Sequence, residues 1–334
     1  MRSVLVLATN LAQASFRLRI AALAPLLERR GYKLEFYVRP RGILAIPRLR
    51  ATLGDSAQYH AVIIQRKFLA TSEAQLLRQH AWRVIYDIDD AMMHHNRPVG
   101  RISRWRTARN FEATARILDH VVAGNEYLAA MFRARGREVS IIPTMLDSHR
   151  YLIKRHEPTE TPRLVWIGSS STIQYLRDFL PVLEEAAQQM PGLRLLTIAD
   201  ATVESSVLPI EHHEWTEASE AEAICRGDIG IAPTPSDPWT MGKCGFKILQ
   251  YMASGLPVIA SPVGANAELV QEGVTGFLPK LNADWPGAIL TLARDRELRA
   301  KMGATARELA VTRYTLERAA DEWAHVLSHG RTNQ

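Results

Sequence analysis

The sequence predicts an α/β protein with two doubly wound, Rossmann-like parallel-sheet domains. Short β-branched runs alternate with helical patterns through the first half of the chain. After a polar, proline-containing stretch the same rhythm starts again. The length of 334 residues exceeds what a single hydrophobic core usually fills.

The first strand is expected at residues 4–8, an apolar run fit for burial on both faces. Residues 14–30 show helical periodicity, and Gly31 ends them. Strands follow at 34–38, 61–65, 84–87, 121–123 and 139–142, with helical patterns between most of them, and Pro143 stops the last. Residues 154–162 read KRHEPTETP, the composition of a linker. Beyond it, strands are expected at 164–167, 193–198, 229–232, 257–260 and 276–278. Helices are expected at 173–189, 217–225, 246–253, 285–294 and 295–308, with a final one over 315–326. The predicted organisation is a first domain over 1–152, a linker over 153–162, a second domain over 163–312, and a closing helix over 313–330 that packs back on the first domain. Ligand sites in such sheets lie beyond the carboxyl ends of the strands. That rule singles out 9–17, 65–67, 87–95, 168–172 and 233–247.

Composition narrows the function classes. With 47% hydrophobic and 23% charged residues, the chain has the profile of a soluble globular enzyme. Cys225 and Cys244 give neither a zinc spacing nor a disulfide framework and suit a reducing, cytoplasmic compartment. No apolar run approaches the ~20 residues of a membrane span. The net charge of +6 hides an asymmetry: residues 1–150 carry 24 Lys/Arg against 12 Asp/Glu, and the remainder carries 17 against 23. A basic half attracts phosphate or an anionic surface. Arg97, Arg101, Arg104, Arg106 and Arg109 surround Trp105, a pattern suited to an anionic membrane face or to a mobile, solvated loop before a helix. No nucleic-acid-binding module is present. Residues 4–8 are not followed by G-x-G-x-x-G, which argues against a dinucleotide oxidoreductase.

The most informative stretch is 242–278, GKCGFKILQYMASGLPVIASPVGANAELVQEGVTGFL. Gly242 and Gly245 flank the start of a predicted helix whose first N–H groups lack intrahelical partners. A phosphate satisfies such groups and gains from the helix dipole. Lys243 and Lys247, four apart, are expected to share a face and clamp a diphosphate. A second glycine-containing loop follows at 261–264, and Asn266 is a candidate helix cap.

This stretch resembles the donor-binding signature of the retaining glycosyltransferase family 4, which has the GT-B fold of two Rossmann-like domains facing across a cleft. Members acting in bacterial polysaccharide and lipopolysaccharide assembly look most similar. DIDDAMMHH at 87–95, IIPTMLDSHRY at 141–151, WIGSSSTIQYL at 166–176 and DIGIAPTPSDPW at 228–239 follow the family's order. The resemblance implies a nucleotide-sugar donor (a UDP- or GDP-sugar) and no other cofactor. It implies a glycan or lipid-linked glycan acceptor, retention of configuration, and no metal. A location at the inner membrane face also fits.

The resemblance also places residues. The family's two donor-helix glutamates fall on Gly242 and Gln250, so the sugar contact is either missing or passes to backbone N–H groups or Asp237, and Gln250 meets the ribose. Gly168, Ser169 and Ser170 stand where relatives hold the diphosphate with basic side chains. Charge neutralisation then falls on Lys243 and Lys247, joined by Arg17 or Arg66 from the first domain, with Cys244 and Gly245 in the same donor loop. Asp89 or Asp90 orients the acceptor hydroxyl, Asp87 or Asp90 can instead cap the following turn, and a magnesium site there is a third reading. His94 or His95 touches the donor sugar. Asn10, Arg66 and Lys67 are placed on the acceptor side. The expected chemistry is a same-face displacement in which the leaving phosphate helps deprotonate the acceptor. A nucleotide-sugar epimerase and a non-catalytic nucleotide-sugar-binding protein are the rival readings.

Overall fold

A computed structural model describes residues 1–38, 45–95 and 98–329. The chain divides into two compact units. Unit 1 holds Met1–Met145, Asp237–Cys244 and Leu316–Gln334, and unit 2 holds Leu146–Ser236 and Gly245–Thr315.

Unit 1 is built on six parallel strands: β1 (Arg2–Ala8), β2 (Tyr32–Val38), β3 (Ala61–Gln65), β4 (Val84–Ile88), β5 (His120–Ala123) and β6 (Val139–Ile141), in the order β2-β1-β3-β4-β5-β6. Its helices are α1 (Ala14–Arg19), α2 (Ala24–Arg29), α3 (Ala45–Gly54), α4 (Thr71–His80), α5 (Arg101–Ile117) and α6 (Glu126–Arg133). Strands β3 and β4 are buried along their full length, as expected where helices cover both faces of a parallel sheet. Phe68, Tyr86, Phe111 and Phe132 pack ring on ring with centroids 5.1–5.7 Å apart, fixing α5 and α6 against β4. The helix expected over 14–30 is two helices joined by a 3₁₀ turn, with Ile20 leaving helical geometry and Pro25 opening α2.

Unit 2 repeats the plan with β7 (Arg163–Ile167), β8 (Arg194–Ala199), β9 (Ile210–Glu214), β10 (Ile229–Ala232), β11 (Val258–Ala260) and β12 (Gly276–Phe277), in the order β12-β11-β10-β7-β8-β9. Its helices are α7 (Ile173–Gln189), α8 (Glu220–Cys225), α9 (Phe246–Ala253), α10 (Ala265–Leu269), α11 (Trp285–Arg294) and α12 (Arg296–Arg313). Strand β9 escapes the sequence reading because IEHHE is a polar edge strand with no buried face. Tyr251 ties α9 to the sheet: its hydroxyl accepts from Ile167 N at 2.8 Å and donates to Ile231 O at 3.2 Å.

The stretch expected as a linker is bonded to unit 2. Lys154 N donates to Ser254 O at 2.9 Å, Lys154 Nζ meets Asp228 Oδ1 at 3.0 Å, and His156 Nε2 lies 2.9 Å from Gly255 O. The final helix, α13 (Leu316–Ser328), belongs to unit 1, where Arg30 pairs with Asp321 at 2.6 Å.

Candidate active site

Residues just past the carboxyl ends of β1, β3 and β4 line a cavity of about 500 Å³ in unit 1. Thr9 follows β1, Arg66, Lys67 and Phe68 follow β3, and Met92, His94 and His95 follow β4. Helix α5 adds Arg106, Thr107 and Asn110, and Trp239 comes from the Asp237–Cys244 segment.

Beside this cavity the carboxylates of DIDD are each matched to cations. Asp87, fully buried, receives a two-pronged contact from Arg19, with Nη2 at 2.6 Å and Nε at 3.1 Å from Oδ1. Arg19 Nη1 also donates to Ile142 O at 2.9 Å and Thr144 Oγ1 at 3.3 Å. Burial opposes the Arg19 charge, but Asp87 more than offsets it and raises the guanidinium pKa. Arg66 serves the other two: Nη2 lies 2.7 Å from Asp90 Oδ2 and Nε 3.4 Å from Asp89 Oδ1. The second distance is an ion pair without hydrogen-bond geometry, and Asp89 Oδ1 is buried without a hydrogen-bond partner. Burial pushes the Asp89 carboxyl up to about 6, with Arg66 opposing and Asp90 adding to the rise. Lys243 completes the set, its Nζ 3.3 Å from Asp90 Oδ1 and 5.0 Å from the centre of the Trp239 ring.

Arg66 takes a left-handed backbone conformation, φ 61°. For a side chain other than glycine this costs about 1–2 kcal/mol. Two bonds hold it: Arg66 N donates to Asp87 O at 2.9 Å, and Tyr86 Oη donates to Arg66 O at 2.9 Å. The strained turn aims the guanidinium at Ser15 and Asp90.

The Asp237–Cys244 segment is fastened to the tip of β5. Asn125 caps α6 by accepting from Leu128 N at 2.9 Å, and its Nδ2 donates to Met241 O at 3.3 Å and Lys243 O at 3.0 Å. Cys244 is buried and its thiol donates to Asp89 O at 2.9 Å. The sulfur fills the space at Gly124, where a Cβ would stand 2.2 Å from it. Gly242 is pressed on Ala91, so a Cβ there would lie 2.4 Å from Ala91 Cβ and 2.6 Å from Ala91 N. A glutamate side chain at position 242 has no room in this packing.

Asp237 Oδ1 accepts from Trp239 N at 2.8 Å and Thr240 N at 2.9 Å, capping a short 3₁₀ turn. His94 Nε2 lies 3.3 Å from Tyr127 Oη. Burial lowers the His94 pKa, with Asp237 opposing, so the imidazole is neutral at pH 7. When Tyr127 donates, the His94 proton resides on Nδ1.

In unit 2, Gly245 starts α9 in a left-handed conformation, φ 63°, and Lys247 Nζ lies 4.5 Å from the centre of the buried Trp166 ring. Gly168 caps β7 with its N–H on Ile198 O.

Several expectations change on these facts. Lys243 is extended (φ −70°, ψ 141°) and belongs to unit 1, so it does not share a helical face with Lys247. Arg66 lines the cavity, yet its guanidinium already answers Asp89 and Asp90. Ser170 offers no vacant nest, because Asp200 accepts from both its N–H and its hydroxyl, while Ser169 Oγ pairs with Ser171 Oγ at 2.8 Å. Gln250 is buried and donates to Tyr151 Oη at 3.2 Å. Asn10 Oδ1 folds back onto Ala12 N at 3.0 Å. Asn266 lies inside α10, whose cap is Gly264, and its amide bonds Thr234 and Ser261. Arg17 is half-buried in α1, and Lys67 and His95 line the cavity. Arg97 lies outside the described residues. Among the described residues no helix is long and apolar enough to cross a membrane.

Sequence reasoning missed Arg19, Tyr127, Asn125 and Trp239, and it read Arg106 as part of an anionic membrane face or of a solvated loop, whereas Arg101–Ile117 is helical. Helix α5 separates two faces: Arg106, Thr107 and Asn110 line the cavity, whereas Trp105 and Arg109 line a second groove, the Arg109 guanidinium 4.9 Å from the Trp105 ring centre.

Residues 161–295 match the family model described as Glycosyl transferases group 1. Sulfoquinovosyl transferase SQD2 of Arabidopsis thaliana is 28% identical over 171 residues, 48% of this chain and 32% of the relative. N-acetyl-alpha-D-glucosaminyl L-malate synthase of Bacillus anthracis is 33% identical over 106 residues, 31% of this chain and 26% of the relative. The chain thus spans about a third or less of those two relatives. In solved structures, Anabaena HepE in complex with UDP and glucose superposes with a TM-score of 0.68 at 16% identity, covering 98% of this chain and 100% of that one. Sucrose-phosphate synthase from Thermosynechococcus elongatus gives 0.71 at 14%, covering 98% of each. The fold, two six-stranded parallel sheets, is therefore GT-B.

Proposed function

We propose that the chain is a glycosyltransferase moving a sugar from a nucleotide-diphosphate sugar, a UDP-sugar before a GDP-sugar, to an acceptor hydroxyl. The observation that carries this reading is the group 1 match over 161–295, which takes in the Gly242–Lys247 loop and the whole of α9. The UDP bound to the HepE neighbour supports the choice of base. In this reading the N-terminal end of α9 and Lys247 hold the leaving diphosphate and stabilise the charge that develops on it. The acceptor enters the unit 1 cavity beside His94. Neutral His94 supplies a hydrogen bond to a sugar hydroxyl. Asp89 and Asp90, already bonded to Arg66 and Lys243, set the local field rather than act as nucleophiles. Retention of configuration, turnover without a metal, and an acceptor from cell-surface glycan assembly belong to the same proposal.

A calorimetric screen of UDP- and GDP-sugars tests it, with Lys247→Glu as the control. The wild-type chain binds one donor class, and the charge reversal weakens that binding at least about 100-fold while the unfolding midpoint holds. A variant binding within threefold of wild type sinks the diphosphate assignment. Transfer of label from the bound donor to an added glycan separates a transferase from a non-catalytic binder. Conversion of the donor with no acceptor present would instead identify an epimerase.

A further inference from the structure

We propose that the unit 1 cavity selects an acceptor sugar bearing an oxyanion, a carboxylate or a phosphate monoester, and that Arg106 is the residue that reads it. This deepens the glycosyl-transfer reading and rests on it. The cavity lining contains Arg66, Lys67 and Arg106 but no aspartate or glutamate. Arg66 is neutralised by Asp89 and Asp90 within the protein. Arg106 has no carboxylate partner among the described residues, so its charge is available to a ligand. Arginine's planar fork suits the two oxygens of a carboxylate or phosphate.

A second feature of the same wall points to a ligand. Asn110, one helical turn from Arg106, also lines the cavity, and its Oδ1 is buried without a hydrogen-bond partner. A buried amide oxygen left unmatched is costly, and a sugar hydroxyl is the donor that would satisfy it. The aromatic residues Phe68 and Trp239 line the same space, and aromatic rings suit packing against a pyranose. Cation, vacant acceptor and aromatic walls together describe an acidic or phosphorylated sugar rather than a neutral one.

Titration calorimetry on the full chain, with UDP saturating, tests this using methyl β-D-glucuronide, glucose 6-phosphate and neutral methyl β-D-glucoside. The wild-type chain should bind an anionic probe at least about tenfold tighter than the neutral one. Arg106→Gln should cut that preference to less than about twofold, and Arg106→Lys should restore part of it. The carboxylate and phosphate probes identify which oxyanion is preferred. Equal binding of neutral and anionic probes, no binding of either anionic probe at millimolar concentration, or a preference undiminished in Arg106→Gln would overturn the proposal. UDP affinity, read separately on both proteins, isolates the other failure: a wild-type chain that ignores UDP but keeps an Arg106-dependent preference loses the donor assignment alone.

Discussion

Replacing Arg19 by methionine strands a carboxylate in the interior of unit 1. Asp87 is fully buried and Arg19 is 3% exposed, so neither charge has water to fall back on. Removing one partner of such a pair costs roughly 3–5 kcal/mol, because the other is left buried and uncompensated. Two further acceptors, Ile142 O and Thr144 Oγ1, also lose their donor. Against a total stability of about 5–15 kcal/mol this is a large fraction. Urea unfolding at pH 7, followed by circular dichroism, should show that loss in Arg19→Met. The double variant Arg19→Met/Asp87→Asn should recover at least about 2 kcal/mol of it, since no net charge remains inside. A loss under 1 kcal/mol, or strictly additive single and double variants, would refute the ion-pair account.

Two other perturbations test the same corner of the fold. Gly242→Ala places a methyl 2.4 Å from Ala91 Cβ and 2.6 Å from its backbone nitrogen, so it should destabilise unit 1 by about 1–3 kcal/mol in the same assay; an unchanged midpoint would mean the segment lifts at no cost. Asp89, with its pKa raised to about 6 by burial, favours its neutral form in the fold, and the stability this contributes is full below about pH 4 and lost as pH rises through about 6. Asp89→Asn should abolish that slope, which spans on the order of 2–3 kcal/mol, and a slope persisting in the variant would assign it to another group.

Local signals proved sufficient for most of the sheet scaffold. Residues 61–65 and 229–232 are strands with the predicted bounds, and 173–189, 246–253 and 285–294 are helices with theirs, because each is an apolar run or stripe bounded by glycine, proline or polar residues. Strand β9 lacked such a signal, and the break at Ile20 is a tertiary choice made where periodicity continues. Strand tips and DIDD drew notice to the loops after β1, β3 and β4, which supply residues that line the cavity. What the sequence withheld was pairing over distance. Nothing in DIDD disclosed that Arg19, 68 positions away, supplies the cation for Asp87. Nor did the spacing of Lys243 and Lys247 disclose that Gly245 breaks their register by turning left-handed.

Unit 1 is assembled from three separate stretches of chain, and one of them, Asp237–Cys244, is encoded between β10 and α9. A chimera that exchanged everything after residue 152 for the matching half of a relative would replace more than unit 2. It would import a foreign Trp239 into the cavity wall, a foreign Asp237 beside His94, and foreign partners for Asn125. The wall of that cavity is thus drawn from both halves of the gene, and a graft that is to leave it unchanged must carry this short insert with the first half.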